Sequence, residues 1–272
     1  MYVFILFISL IVIVYLLGNY DLPKIIWTHW NNNELPDICK ETLQRMRDVH
    51  PDWKIRFITD AEFQTMCPQS DFPLHYEQLK PAHKSDFIRL WLLKHYGGCW
   101  IDISTVFNKS ITPIYLSAKA IRAEICGFYI DAHSSMFPKF ENWFIMAPRN
   151  SQFIKQWYDE YVYAVTIGFE NYKRLVINEG VLTHGIYEPQ HGVYLTQHAC
   201  FQRIIQRKRW LRPRWLLYRA DDSMLKIQLD CGWNQECNRS NFSSYKAYKL
   251  PAIKLVNDDR KTFPLSFFHN VK

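Results

Sequence analysis

Asp86, Arg89 and Asp102 are the side chains whose spacing best suits joint chemistry. Asp86 and Arg89 lie in the stretch HKSDFIRLWLLKHY, where Phe87, Leu90, Trp91 and His95 recur at spacings of three and four, which predicts a helix over 84–96. Residues three apart on a helix share a face, with Cβ atoms about 5–6 Å apart. Gly97 and Gly98 stop the helix, Cys99-Trp100-Ile101 reads as a short buried strand, and Asp102 ends that strand. From 86 to 96 the helix rises roughly 15 Å, and from 98 to 102 an extended strand returns roughly 13 Å. Asp102 therefore comes back level with the first helical turn, and two carboxylates converge with a guanidinium. Such a trio either closes on itself as an internal ion pair beside an acid at an exposed strand end, or points together at one shared ligand.

The elements around this motif suit an α/β layer. Pro23 opens a strand over Lys24 to Thr28, and Trp27, His29 and Trp30 crowd its end, where open α/β sheets bind their ligands. A helix over 36–49 starting at Pro36, a strand from Trp53 to Ile58 and a further helix capped by Asp60 follow. Strand, helix, strand, helix is how a parallel α/β layer begins. Phe72 to Pro81 is a polar and aromatic connector into the central motif. Later strands are expected over Ile121 to Tyr129 and Trp143 to Met146, and helices over 150–166 and 170–178. The stripe Phe153, Ile154, Trp157, Tyr158 and Tyr161 belongs to the core. Asp221 to Lys272 reads as short strands and turns.

Ser85-Asp86-x-x-Arg89, the apolar helix, Tyr96-Gly97-Gly98 and Trp100-x-Asp102 together resemble the nucleotide-sugar signature of the capsular polysaccharide synthesis proteins and their relatives. Those relatives include the Golgi mannosyltransferases of yeasts and the glucosyltransferase domains of the large clostridial cytotoxins. The likeness extends to Pro23-Lys24-Ile25-Ile26-Trp27, to Asn142 through Ala147, and to Tyr194 through Phe201, so that it covers roughly residues 22 to 205. It implies one GT-A-type, Rossmann-like α/β domain over 19–272 that transfers a sugar from a nucleoside-diphosphate sugar, with retention of configuration.

By the same resemblance, Asp86 and Arg89 hold sugar hydroxyls, with Ser85 beside them. Trp27 stacks on the nucleotide base, with Thr28 next to it, and His198 stands on the acceptor side. Asp102 contacts the ribose and the water shell of a divalent cation, Mn²⁺ or Mg²⁺. Most members carry Asp-x-Asp where this chain has Asp102-Ile103-Ser104. Such cations prefer carboxylate, carbonyl and water oxygens, so one carboxylate and a hydroxyl make a weak site unless phosphates complete it. Lys254 to Asn257 resembles the family's closing segment near the diphosphate, and Lys254 is an alternative partner for the phosphates without metal.

Residues 2–17 carry no charge and predict an uncleaved N-terminal membrane anchor within 1–18, with a single-pass membrane location. As a helix the segment would reach only roughly 25 Å, a little short of a typical hydrocarbon core. The run over 203–219 holds seven basic side chains and no acid, matching the whole formal excess of +7. With Trp210, Trp215 and Leu216 interleaved, it predicts a face docked on anionic lipid, or one that receives an anionic lipid-linked or polymeric acceptor. No nucleic-acid motif accompanies the charge.

Seven cysteines are scattered without a C-x-x-C pair, and Cys231 and Cys237 flank a turn they could bridge. His184, His191 and His198 fit no zinc spacing. Neither a P-loop nor a GxGxxG appears, which argues against a kinase or dehydrogenase. Two classes remain: a membrane-anchored glycosyltransferase acting on a glycan or lipid-linked acceptor, and a non-catalytic carbohydrate- or lipid-binding protein. Ser104 favours the second, and the convergent Asp86, Arg89 and Asp102 favour the first.

Overall fold

Ile25–His29 (β1) lies between Lys54–Ile58 (β2) and Gly98–Ile101 (β3) and is parallel to both. These three strands form one half of a six-stranded mixed sheet. The other half is Ile125–Ile130 (β5), Lys139–Ala147 (β6) and Trp215–Arg219 (β7), with β6 antiparallel to both β3 and β5 and β7 parallel to β5. A separate two-stranded ribbon pairs Thr105–Phe107 (β4) with Ala252–Lys254 (β8). The structure, a computed structural model, describes residues 20–130, 137–207 and 214–269, with the backbone alone at 245 and 246.

Side chains alternate across the sheet, as the two-residue period of a strand requires. Trp27, Trp100 and Ile145 enter one core with Pro81–Tyr96 (helix α3), Gln152–Ile167 (α5), Phe169–Asn178 (α6) and Thr196–Arg207 (α7). Ile26, Cys99 and Met146 enter the opposite core with Asp37–Val49 (α1) and Thr112–Ala120 (α4). Asp60–Met66 (α2) begins one residue after Thr59, whose hydroxyl accepts from Glu62 N. Thr59 is thus the cap expected at Asp60, because Asp60 turns instead to His29.

Pro81 occupies the first turn of α3, three residues before the expected start, and the helix is buried on nearly every side. Its polar Asp86 and Arg89 are 6% and 4% exposed, so partners must be built for them. Gly97 and Gly98 end the helix with φ of 62° and 99°. A Cβ at Gly98 would stand 2.8 Å from the Ile25 carbonyl oxygen, so only glycine lets β3 close on β1.

The C-terminal part differs from expectation. Past β7 it is mostly short helices, Lys226–Asp230 (α8), Gln235–Phe242 (α9), Tyr245–Lys249 (α10) and Asp259–Thr262 (α11), with β8 as the strand among them. Buried Asp259 ties them together, accepting from Gln228, Asn238 and the Val256 amide. Asn234 caps α9, and a Cys231–Cys237 disulfide with Cα atoms 5.6 Å apart closes the turn before it.

Three of the seven basic side chains of the run over 203–219 have acidic partners within the protein: Arg203 pairs with Glu160 and Glu179, Arg207 with Glu179, and Arg219 with Asp221 and Asp222. Residues 208–213 of that run lie outside the described residues, as does the expected anchor over 2–17. Among the described residues no helix is long and apolar enough to cross a membrane.

Candidate functional site

A cavity of about 430 Å³ opens beyond the carboxyl ends of β1 and β3. From β1 and its continuation come His29, Trp30 and Asn31, and from beyond β3 come Asp102, Ile103 and Ser104. Helix α3 supplies Ser85, Asp86 and Arg89 from its first turns, β6 supplies Asn142, and α7 and its approach supply Tyr194 and His198. Arg260 of α11 closes the rim.

The expected convergence of Asp86, Arg89 and Asp102 is present. Arg89 Nη1 donates to Asp86 and, at 2.8 Å, to Gln197 Oε1, while Nη2 donates to Asp102 Oδ1 at 3.2 Å. The guanidinium carbon lies 5.1 Å from the centre of the Trp100 ring, and Trp100 Nε1 donates to the same Asp102 oxygen at 2.9 Å. Asn142 Nδ2 bridges Asp86 Oδ1 at 3.1 Å and Gln197 Oε1 at 2.7 Å, and Gln197 Nε2 donates to the Asp86 carbonyl at 2.7 Å. Every charge of the trio thus has a partner of fixed direction, as a desolvated cluster needs in order to hold one geometry.

Lys254 belongs to the site from behind its wall. Its ammonium, 6% exposed as a residue, donates to Ser104 Oγ at 2.7 Å and to the Leu255 carbonyl at 3.0 Å, and it lies 3.2 Å from Asp102 Oδ2. The β4–β8 ribbon places it, pairing Thr105 with Lys254 immediately after Ser104. Burial works to raise the Asp102 carboxyl, but Lys254, Arg89 and the Trp100 N–H outweigh it and hold the group below the usual carboxylate value. Burial pushes the Lys254 ammonium down, with Asp102 opposing. Burial, with Lys139 and Arg89, holds the His198 imidazole well below its ordinary value, so it enters the cavity neutral.

Two expected site residues are elsewhere. Trp27 is 4% exposed, donates through Nε1 to the Gly97 carbonyl at 2.9 Å and packs against Tyr96, so it is a core residue and not a lining one. Thr28 is fully buried in β1 and also off the cavity wall. The strand runs on past both, and the tryptophan of this segment that reaches the cavity is Trp30. Residues that sequence reasoning passed over are Asn142, Gln197 and Arg260. A polar Asn at the head of the apolar run WFIMA was a signal for the first, whereas nothing in the sequence marks Arg260.

Residues 19–165, more than half of the chain, match the capsular polysaccharide synthesis protein family. The chain belongs to that family. This capsular-family chain is also 32% identical over 97 residues to the mannosyl phosphorylinositol ceramide synthase SUR1 of Saccharomyces cerevisiae, covering 34% of itself and 25% of that protein. It is 35% identical over 90 residues to inositol phosphoceramide mannosyltransferase 2 of Schizosaccharomyces pombe, covering 32% of itself and 26% of that protein. The aligned stretch thus spans about a quarter of either relative's length. Among solved structures, the UDP-bound glycosyltransferase domain of the YGT toxin superposes with a TM-score of 0.48 at 12% identity, covering 90% of this chain and 94% of that one. The galactosyltransferase LgtC with donor and acceptor sugar analogues gives 0.47 at 12% identity, covering 91% and 94%.

The residues of this capsular-family chain do not fit a resident divalent cation. Asp102 has Arg89 and Trp100 on one oxygen and Lys254 on the other, and the Ser104 hydroxyl accepts from the same ammonium. Among the described residues no group of three or more His, Cys, Asp and Glu side chains stands together as a metal-binding set.

Proposed function

We propose that the chain is a GT-A-type glycosyltransferase that takes a sugar from a nucleoside-diphosphate donor and passes it to a glycan or lipid-linked acceptor. The observation that carries this reading is the convergence of Asp86, Arg89 and Asp102 on one cavity of about 430 Å³ at the carboxyl ends of β1 and β3. Asp86 and Arg89 bind sugar hydroxyls through the oxygen and N–H groups that their mutual pairing leaves free, with Ser85 beside them. Asp102 takes the ribose. Ser104 and Arg260 stand where the diphosphate leaves, and preorganised donors there stabilise the charge that develops as the glycosidic bond breaks.

His198, neutral and facing the cavity, is an acceptor-side group that receives or orients a hydroxyl. Transfer with retention is part of the proposal, as is anchoring through residues 2–17. Relatives named for mannosyl transfer onto inositol phosphoceramide support a lipid-linked acceptor and a membrane setting. The test is a thermal-shift screen of the purified chain against nucleoside-diphosphate sugars with and without Mn²⁺, followed by transfer assays and product anomer assignment by NMR. A donor-specific rise in melting temperature with turnover is expected. Absence of any donor effect overturns the reading in favour of a binding protein, and an inverted product overturns retention.

A further inference from the structure

We propose that the Lys254 ammonium takes the place of a divalent cation, serving as the built-in counter-charge for a nucleoside diphosphate that binds without metal. The inference rests on the donor-site reading above and sharpens it. Its basis is position. The two polar side chains that follow β3 and face the cavity, Asp102 and Ser104, are the pair that a metal would need to use. One ammonium sits against both of them, at 3.2 and 2.7 Å.

That placement is built rather than incidental. Lys254 ends β8, whose pairing to β4 fixes its register opposite Thr105. The Leu255 amide donates to the Ser104 carbonyl at 2.9 Å, and Gln228 Nε2 holds the Lys254 carbonyl at 2.7 Å. The backbone is therefore locked on both sides of the ammonium. A lysine so deeply buried survives as a cation only with a carboxylate beside it, and Asp102 is that carboxylate.

A dication entering here would meet the ammonium at close range. It would also find both Asp102 oxygens engaged by N–H donors and the Ser104 hydroxyl already accepting. The cavity offers an alternative supply of charge. On the wall Arg89 and Arg260 balance Asp86 and Asp102, so Lys254 behind it supplies the added positive charge where phosphate oxygens would lie. Lys254 acts as the fixed charge behind the wall, while the Ser104 hydroxyl and the Arg260 guanidinium supply contacts at its surface. No bond is made or broken in this role, and the ammonium keeps its proton.

The experiment is titration calorimetry of the full chain with UDP and with GDP, in excess EDTA and again in Mn²⁺. Affinity for the preferred nucleotide is expected to agree within about threefold between the two buffers. Lys254→Met should lower affinity at least tenfold in EDTA, with folding checked by circular dichroism, and Lys254→Arg should keep binding. The double variant Ser104→Asp with Lys254→Gln restores an acid pair and should bind only when Mn²⁺ is present. Loss of wild-type binding in EDTA with recovery in Mn²⁺ overturns the inference and leaves the nucleotide site standing. Failure of both nucleotides to bind in either buffer overturns the donor-site reading and the inference with it.

Discussion

Arg89 Nη1 donates to Gln197 Oε1 across 2.8 Å, joining the middle of α3 to the first turn of α7 from positions 108 residues apart. Gln197 is fully buried and answers three demands at once: it accepts from Arg89 and Asn142 and donates to the Asp86 carbonyl. Replacing it with leucine removes one hydrogen bond from each of these three groups in a dry site, while Arg89 and Asn142 keep theirs to Asp86. Gln197→Leu should destabilise the chain by about 1–3 kcal/mol, read by denaturant unfolding. It should also lower donor turnover by freeing the guanidinium. Gln197→Glu keeps the shape and suits Arg89, but it sets an oxygen against the Asp86 carbonyl, so its turnover should fall although its stability falls less.

Asp86 separates geometry from recognition. Asp86→Ala removes the partner of a buried guanidinium, a loss of about 3–5 kcal/mol for pairs of this kind, and so confounds binding with folding. Asp86→Asn keeps the shape and an acceptor oxygen for Arg89. Its affinity for free nucleoside diphosphate should stay within about threefold of the original, while turnover of the nucleotide sugar falls by more than tenfold. Equal losses in both measurements would make Asp86 a purely structural partner of Arg89.

The helix–turn–strand motif was legible because its signals are local. The three-four spacing gave α3, two glycines gave its stop, and an apolar triplet ending in Asp gave the return, so the meeting of Asp86, Arg89 and Asp102 followed from lengths alone. What stayed hidden depends on pairings that no local pattern encodes. Resemblance alone put Lys254 near the phosphates, and its contact with Ser104 arises because β8 adds to a three-residue strand about 150 positions earlier. Trp27 looked like a ligand surface because it stands near the end of a strand, but its two-residue phase turns it into the core under Tyr96. The C-terminal helices were unreadable as such. They are too short to show an apolar stripe, and isolated apolar residues such as Ile227 and Phe242 pack beside buried polar groups centred on Asp259.

Glu179 tests the pairing of Arg203 and Arg207 from the basic run. Its carboxylate accepts from Arg203 Nε at 2.7 Å and Nη2 at 2.9 Å, with Arg207 at 3.0 Å. The Arg203 hydrogen bonds hold it below the usual value of 4.5 against a smaller opposing effect of burial. A carboxyl depressed on folding contributes stability that is complete above its unfolded value and disappears as pH falls through the folded one. Glu179→Gln should therefore cost about 1–2 kcal/mol at pH 7, allowing for partial screening by solvent. The gap between variant and parent should narrow as pH falls below 4.5. Melting curves across pH 3 to 7 check it, and a gap independent of pH would remove the ion pair as the cause.

Trp27 and Trp30 part company in the last prediction. Trp27 lies in the core with its N–H on Gly97, so Trp27→Ala should cost about 3–5 kcal/mol of stability, as truncation of a buried indole does. Trp30, three residues on, lines the cavity and is only partly buried. If a nucleotide base stacks on this chain, Trp30 is the surface it uses. Trp30→Ala should then weaken binding of the nucleoside diphosphate by about 1–3 kcal/mol, roughly 5- to 150-fold, with little change in melting temperature. A control with inorganic pyrophosphate isolates the base, because it has no ring to stack and should bind parent and Trp30→Ala alike. Should Trp30→Ala leave nucleotide affinity unchanged, the base lies along another wall of the cavity, where Tyr194 is the remaining lining aromatic.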